Sequence, residues 1–251
     1  MVQRELKNKV SIILPNYNSE KFILSTINSI KNQSYKNWDL IIVDDCSNSK
    51  TKKILNKFNK NKKINIIWLK ENKGAAYCRN LAIKKSKSKY LAFIDSDDIW
   101  EKNKLKLQIN YMEKNNFDFT YSYYKTFGLK FKKVKPPHKF NFKSFTRNTS
   151  IATSTMILKR KIVKNAKFTN TAICEDYFFK CKILKKIKYA YCLKNYLTKY
   201  RIRKNSMQSS MIKNFFWIWK INYRYNKFNF IDNCKSLVFI SINSIRKYGL
   251  K

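Results

Sequence analysis

The stretch YLAFIDSDD at residues 90–98 joins five apolar residues to a cluster of acidic ones. Its apolar part predicts a buried β-strand, and a helix is predicted to follow at residues 101–114. Three of the chain's 15 Asp and Glu residues fall in the last four positions. Two carboxylates one residue apart at a strand end can bind a hard divalent cation, which prefers oxygen ligands. Capping of the next helix explains Asp98 but not Asp95, so the cluster favours a metal site.

Similar apolar runs lie upstream and alternate with stretches of helical periodicity. Strands are predicted at residues 10–14, 38–43 and 64–69, and helices are predicted between them, with the third at residues 75–85. Runs that alternate with helices in this way indicate an α/β fold whose mostly parallel central sheet is flanked by helices. Ligands of such sheets bind at the carboxyl ends of the strands.

Polar side chains follow each predicted strand at that edge. Tyr17 and Asn18 follow the first strand, Asp44 and Asp45 the second, and Asn72 the third. The carboxylates of the Asp pair can accept hydrogen bonds from a base or a ribose, although Asp pairs are also common in turns. Four strands that deliver polar groups to one edge predict a binding site there.

Residues 72–80 open the third helix. Gly74 permits a tight turn, and the amino terminus of a helix favours anions. Arg79, one turn further on, can reach a base or a phosphate of a ligand. The other interpretation is an ordinary capped helix with an exposed Arg, which is the commoner case.

The second half of the chain is less regular. Residues 125–147 are basic and irregular, and strands are predicted at residues 151–158, 189–193 and 197–202, with a helix at residues 175–185. From residue 211 the sequence becomes aromatic and basic. The chain is therefore divided into residues 1–124, residues 125–210 of the same domain, and a helical tail (residues 211–251).

Two polar clusters lie in residues 125–210. Glu175 and Asp176 begin a helix beside aromatic residues, which can raise the pKa of a carboxylate and suit it to act as a general base. Acidic residues are also favoured at any helix start by the helix dipole. Arg201, Arg203 and Ser206 form a basic loop that can bind a diphosphate, or a solvated basic edge.

Together these segments resemble the family 2 inverting glycosyltransferases of the GT-A fold. The matching segments are VSIILPNYN (10–18), IVDDCS (42–47), NKG (72–74) with Arg79 and Asn80, FIDSDD (93–98), ED (175–176) and YRIRKNS (200–206). They occur in the order typical of that family and span about four-fifths of the chain. Each segment is weak alone, whereas the ordered set is specific.

The resemblance implies that residues 1–124 are the nucleotide-sugar-binding part and residues 125–210 the acceptor-side part of one domain. It also implies a role for each matched residue. The residues implied to bind the uridine nucleotide are Pro15, Tyr17, Asn18, Asp44, Arg79 and Asp95. Asp97, with Asp95, is implied to ligate Mn²⁺ or Mg²⁺, and Asp176 is implied to deprotonate the acceptor hydroxyl. The residues implied to lie near the transferred or accepting sugar are Thr153, Ser154, Thr155 and Glu175. Arg201, Arg203 and Ser206 would bind the diphosphate of the donor.

One position departs from the family pattern. The last segment of the family often reads Tyr-Arg-x-His, and Arg203 stands at the position of the His. An Arg can donate to a diphosphate oxygen but cannot ligate a metal. We therefore expect more of the diphosphate charge to be carried by Arg201 and Arg203. The expected reaction is a single in-line displacement that releases UDP and inverts the anomeric centre.

Composition bears on partners and location. The net charge of +40 fits a polyanion partner, but 47 of the 55 basic residues are Lys, whereas nucleic-acid readers favour Arg. An AT-rich coding sequence explains the excess of Lys, Asn and Ile, and we predict no nucleic-acid partner. A basic nucleic-acid or polyanion-binding module without catalysis is the alternative to the enzyme.

The location is predicted to be cytoplasmic. The six dispersed Cys fit a reducing compartment, and no stretch has the length and low charge of a membrane span. Residues 213–227 place aromatic side chains, among them Trp217 and Trp219, between cations. This pattern fits either a helix at an anionic membrane surface, near a lipid-linked saccharide acceptor, or packing on the catalytic domain.

Overall fold

A ten-stranded mixed sheet organises the structure, a computed structural model that describes residues 8–169, 171, 173–204 and 211–248. The strands are β1 (Val10–Asn16), β2 (Trp38–Asp44), β3 (Ile64–Trp68), β4 (Tyr90–Phe93), β5 (Ile99–Trp100), β6 (Phe119–Gly128), β7 (Lys133–Val134), β8 (Lys139–Phe140), β9 (Ile157–Lys159) and β10 (Ala190–Ile202). The helices are α1 (Ile23–Lys31), α2 (Ser49–Asn56), α3 (Ala75–Lys85), α4 (Lys104–Lys114), α5 (Phe142–Arg147), α6 (Arg160–Val163), α7 (Glu175–Leu184), α8 (Met211–Arg224) and α9 (Phe230–Tyr248).

The main path of the sheet has the order β3-β2-β1-β4-β9-β6-β10-β5. Strands β1 to β4 are parallel, so their carboxyl ends lie on one edge. Strand β9 is antiparallel to both β4 and β6, and β10 returns parallel to β6. The prediction of a mostly parallel α/β sheet flanked by helices is confirmed.

Two apolar cores lie on opposite faces of the sheet, because side chains alternate in direction along each strand. Ile12 and Leu14 of β1 pack on one face, with α1 and α4 covering that side. Ile13 of the same strand packs on the other face, where α3 and α7 supply the cover. Burial on both faces explains why the first four strands read as continuous apolar runs.

The second half differs from its prediction in several places. Residues 125–147, predicted to be irregular, contain the end of β6, the short strands β7 and β8, and helix α5. The strand predicted at residues 151–158 is only β9, preceded by a 3₁₀ turn at Thr153–Thr155. The two strands predicted at residues 189–193 and 197–202 are one strand, β10, whose pairing with β6 shifts register between Leu193 and Thr198. These irregularities break the period-two pattern that reveals a strand in a sequence.

The carboxyl-terminal segment is helical, as expected. Helices α8 and α9 form a pair that packs on the α/β domain through α5 and the core. None of the helices within the described residues is long and apolar enough to cross a bilayer.

Candidate active site

A cavity of roughly 280 Å³ opens at the carboxyl ends of β1, β2 and β4. The predicted site residues that line it are Pro15, Tyr17, Arg79, Asp95, Asp97, Glu175, Arg201 and Arg203. These residues come from both predicted parts of the catalytic domain, so the sheet edge and the acceptor-side part meet at this cavity. Ser206 lies outside the described residues.

Arg79 lies at the centre of the site. Its guanidinium donates to Asp95 Oδ1 and to Glu175 Oε1, each at 2.8 Å. Burial alone would lower the pKa of Arg79, but the two carboxylates raise it, so the side chain stays charged. Arg79 is only 5% exposed, which excludes the interpretation as an exposed residue on an ordinary helix. Its contact with a nucleotide stays a prediction.

Arg79 is positioned by the start of α3. Gly74 precedes the helix with a φ of 84°, a conformation that glycine adopts without strain. Asp45 fixes this turn, because its two carboxylate oxygens accept hydrogen bonds from the backbone N–H groups of Lys73 and Gly74. The predicted role of Gly74 in a tight turn is confirmed.

The neighbouring carboxylate, Asp44, is held inside the protein. It accepts hydrogen bonds from Asn16 Nδ2 at 2.7 Å and from the backbone of Ser47 at 3.0 Å. Asn18 supports the same loop through Ser47 Oγ at 2.9 Å. Asp44 is fully buried, and the cavity lining includes Asp45 instead. Both Asp44 and Asp45 therefore accept hydrogen bonds from neighbouring segments, as the interpretation of the pair as turn residues predicts.

The acidic cluster after β4 divides into two kinds of carboxylate. Asp95 and Asp97 line the cavity, and Arg203 Nε donates to Asp97 Oδ2 at 2.8 Å. Asp98 is buried and does not cap α4, whose N-cap is Asn103. Its carboxylate accepts from Ser154 Oγ and from the backbone of Arg201, so it ties β10 to the end of β4.

Burial raises the pKa of Asp97, and the nearby carboxylate of Asp95 adds to this effect. The pKa of Asp98 is raised well above its ordinary value by burial and by Asp97 and Asp95. Burial is the larger cause of both shifts, and repulsion between the neighbouring carboxylates adds to it, since each disfavours the ionised form.

The side chains of this site fit a divalent metal ion only if a ligand supplies part of its coordination. Within the described residues, no group of three or more His, Cys, Asp or Glu side chains is arranged to hold a metal ion. Of the four carboxylates that line the cavity, Asp45 accepts from the backbone before α3 and Glu175 pairs with Arg79, which leaves Asp95 and Asp97 after β4 as the pair best placed to ligate a metal. Two carboxylates suit Mg²⁺ or Mn²⁺ when substrate phosphates complete the coordination. The residues present therefore fit a metal that arrives with a nucleotide.

Asp176 has a different environment, at the start of α7. Its Oδ2 accepts from Lys180 Nζ at 2.7 Å and from Thr153 Oγ1 at 3.0 Å, and its Oδ1 accepts from the backbone of Tyr177 at 2.8 Å. Burial alone would raise the pKa of Asp176, but Lys180, with help from Arg79 and Thr153, lowers it to about 2. The prediction that aromatic neighbours raise this pKa is wrong, because the cations were not foreseen.

The turn at Thr153–Thr155 connects the two acidic clusters. Thr153 donates to Asp176, and Ser154 Oγ donates to Asp98 and accepts from the backbone of Asp95 at 3.0 Å. These two predicted residues reach the site as hydrogen-bond partners of its carboxylates.

Sequence reasoning missed the residue that supports this turn. Lys104 Nζ donates to Thr155 O at 3.1 Å and to Gln108 Oε1 at 2.7 Å. Lys104 is fully buried, and burial lowers its pKa to about 7. The signal was present, because Lys104, Gln108 and Met112 share one helical face with the apolar residues of α4. Lys180 was missed in the same way, four residues after Asp176.

Known proteins resemble this chain over most of its length. The family model described as "Glycosyl transferase family 2" matches residues 11–186. The UDP-Glc:alpha-D-GlcNAc-diphosphoundecaprenol beta-1,3-glucosyltransferase WfgD of Escherichia coli is 32% identical over 239 residues, which are 94% of this chain and 92% of WfgD.

Two solved structures show the same fold. S. aureus TarS 1-349 in complex with UDP-GlcNAc matches with a TM-score of 0.75 and 21% identity, over 95% of this chain and 73% of the TarS 1-349 chain. The mannosyltransferase PcManGT from Pyrobaculum calidifontis, in complex with GDP-Man and Mn²⁺, matches with a TM-score of 0.71 and 14% identity, over 92% of this chain and 69% of PcManGT. These matches confirm the GT-A fold. Because the family model spans well over half of the sequence, the chain belongs to glycosyl transferase family 2 and is a glycosyltransferase.

Proposed function

We propose that this glycosyltransferase moves a sugar from a UDP-sugar to a saccharide carried on a lipid diphosphate, in one displacement that inverts the anomeric centre. The observation that carries the proposal is the meeting of two acidic clusters across Arg79 at a single cavity. The UDP-GlcNAc bound to TarS supports the choice of donor, and the substrate in the name of WfgD supports the choice of acceptor.

The donor occupies the side of the cavity formed by residues 1–124. Pro15, Tyr17, Arg79 and Asp95 contact its nucleoside, while Asn18 and Asp44 hold the loops behind these contacts. Tyr17 is half exposed at the cavity, where its ring can stack on a base.

The diphosphate lies against Arg201 and Arg203, and Ser206 belongs to the same segment. Both Arg side chains line the cavity, and Arg201 Nε donates to the backbone carbonyl of Asp97 at 2.9 Å. Asp97, with Asp95, holds Mn²⁺ or Mg²⁺. When bound, the metal supplies positive charge that stabilises departing UDP. Arg203 must then share or release Asp97, since its guanidinium contacts the same carboxylate.

Asp176 is the base that receives the proton of the acceptor hydroxyl. Its low pKa keeps it ionised at neutral pH. A carboxylate has about four lone-pair sites, and Lys180, Thr153 and the backbone of Tyr177 use three of them. One site is therefore left for the acceptor. Glu175, Thr153 and Ser154 complete the acceptor side of the site.

The location that fits a lipid-linked acceptor is the cytoplasmic face of a membrane, with the protein bound peripherally. The proposal favours the enzyme over a polyanion-binding module, because a module of that kind needs no carboxylate cluster at its ligand site.

The test is release of UDP from a panel of UDP-sugars, with a diphosphate-lipid saccharide as acceptor and with or without Mn²⁺. One UDP-sugar is expected to give acceptor-dependent release that Mn²⁺ increases. The Asp176→Asn variant is the control for contaminating activity. Binding of oligonucleotides or polyanions without release of UDP from any sugar of the panel would contradict the proposal.

A further inference from the structure

The outward face of α9 is apolar and basic. Five large apolar side chains on it are between 40% and 63% exposed: Ile231, Val238, Phe239, Ile242 and Ile245. Between residues 232 and 246, the only other exposed side chains are the cations Lys235 and Arg246. The spacing of seven, four and three residues from Ile231 to Ile245 forms one stripe along the helix. The helix has one acidic residue, the half-buried Asp232.

The opposite face of α9 is fastened to the catalytic domain. Ser236 Oγ donates to Thr146 O of α5, and Asn243 Nδ2 donates to Arg147 O. Asn233 Nδ2 donates to Trp219 O of α8, and Ile240 is buried in the core. These contacts fix the rotation of the helix, so its apolar stripe is held outward.

Helix α8 decides between the two interpretations of residues 213–227. One face of the helix packs on the catalytic domain. Ile218 and Ile221 are buried there, and Phe215 and Trp217 pack against the same core. A different face carries Ile212, Phe216 and Tyr223, each at least 60% exposed. Its exposed cations include Lys213 and Arg224.

We propose that the outward faces of α8 and α9 dock on the surface of an anionic lipid bilayer. An interfacial helix needs an apolar stripe beside cations, and its binding depends on both the apolar area and the attraction to anionic lipids. Residues 211–248 contain seven Lys and Arg and a single Asp, which matches such a surface in charge. Burial of the stripe against a second copy of the chain is disfavoured, because each copy carries a net charge of +40.

The use of this surface rests on the proposed function, since a lipid-borne acceptor requires the enzyme at the membrane. The docking itself is independent of donor and acceptor and is measured without either. Failure of vesicle binding and failure of catalysis are therefore separate results.

The experiment is flotation of the full chain with two kinds of vesicle. One is neutral phosphatidylcholine, and the other is phosphatidylcholine that contains about 30% of the anionic lipid phosphatidylglycerol. We expect recovery with the anionic vesicles to be at least about tenfold higher and to fall in 0.5 M salt, roughly as screening predicts. The double variant Phe239→Ser/Ile242→Ser should reduce binding by about tenfold or more, since apolar area is lost. Lys235→Glu/Arg246→Glu should abolish the preference for anionic lipid.

The matched control is Leu24→Ser/Leu107→Ser, which removes two exposed Leu side chains from α1 and α4 and should leave binding unchanged. Circular dichroism and UDP release with a soluble acceptor check that each variant is folded. Equal recovery with neutral and anionic vesicles, or no effect of either α9 variant, would overturn the proposal. A different result would be self-association of the wild type that depends on concentration and that the Phe239→Ser/Ile242→Ser variant loses. That result would show that the apolar stripe binds a second copy of the chain, and it would overturn the proposal.

Discussion

Asp97 and Asp176 are partly buried carboxylates at one active site, and their pKa values are shifted in opposite directions. The pKa of Asp97 is raised by burial and by the carboxylate of Asp95. Burial acts in the same direction on Asp176, yet its pKa is lowered to about 2, chiefly by Lys180. The two residues therefore differ in the cations that surround them.

The exposure of those cations explains the difference. The Lys180 side chain is 3% exposed, and Arg79 adds a second buried cation near Asp176. The Arg203 side chain, which pairs with Asp97, is 46% exposed, so water weakens its attraction. Buried cations of the protein neutralise Asp176. Asp97 is paired with a half-exposed cation, so a metal ion bound with a nucleotide can still be attracted to the Asp95–Asp97 cluster.

The largest expected effect comes from Asp176→Asn. If Asp176 is the base, kcat should fall by a factor on the order of 10² to 10⁴ while donor affinity stays nearly unchanged. Steady-state kinetics and donor calorimetry measure the two quantities. A loss confined to KM would instead make Asp176 a binding residue.

Lys180→Met separates the base from its ion pair. It keeps the carboxylate but removes the main cause of the low pKa, so the acid limb of the kcat profile should move to higher pH. An unchanged acid limb would mean that Asp176 does not limit the rate.

The next largest effect is expected for Arg79→Met, which breaks the link between the clusters. The substitution leaves Asp95 and Glu175 without their buried partner, and removal of one member of a buried ion pair costs about 3–5 kcal/mol. The free energy of unfolding in urea measures it. Lys84→Met, on the exposed side of the same helix, is the control and should change stability by less than about 0.5 kcal/mol. Equal stability of both variants would show that the clusters do not depend on Arg79.

A smaller effect is expected for Asp97→Asn. The variant should lose most of the gain in UDP-donor affinity that Mn²⁺ provides, about tenfold or more, because one of two carboxylate ligands is removed. Calorimetry with and without Mn²⁺ measures this gain. Arg203→Gln removes the guanidinium that competes with the metal for Asp97, so the gain in donor affinity from Mn²⁺ should increase. Unchanged donor affinity of Asp97→Asn in the presence of Mn²⁺ would contradict the assignment of the metal site.

The donor half of the fold was readable from the sequence. Helix α3 has the predicted bounds, and β2 differs from its prediction by one residue. Strands buried on both faces produce uninterrupted apolar runs, and the glycine before α3 marks a turn that other residues enter with strain. The polar edge followed from this topology, because parallel strands bring their carboxyl ends together.

The electrostatics of the site were not readable in the same way. The pKa of Asp176 depends on Arg79, which lies 97 positions away in the sequence, and Arg203 meets Asp97 across 106 positions. Such distances are fixed by tertiary packing, and a pattern of residue types does not contain them. Lys180 is the exception, since its spacing of four residues on a helix predicts contact with Asp176.

The smallest expected effect concerns Lys104, which supports the turn between the two clusters. Its pKa is lowered from 10.5 to about 7 in the folded protein. Between these two values the unfolded chain binds a proton that the folded protein does not, so the free energy of unfolding rises with pH. Below pH 7 both states are protonated and the full cost of burying the charge is present. The rise is at most about 1.4 kcal/mol per pH unit, and other groups titrate over the same range.

The rise attributable to Lys104 is therefore the difference between the wild type and Lys104→Met. Urea unfolding at pH 7.0 and 8.0 should give the wild type about 1 kcal/mol more stabilisation with pH than the variant. Lys106→Met, an exposed substitution on the same helix, should keep the wild-type dependence. A neutral amine has two N–H groups for the two oxygens that Lys104 contacts, Thr155 O and Gln108 Oε1. Identical pH dependence of wild type and Lys104→Met would mean that Lys104 stays charged inside the fold, and the turn at Thr153–Thr155 would then hold a buried cation next to both acidic clusters.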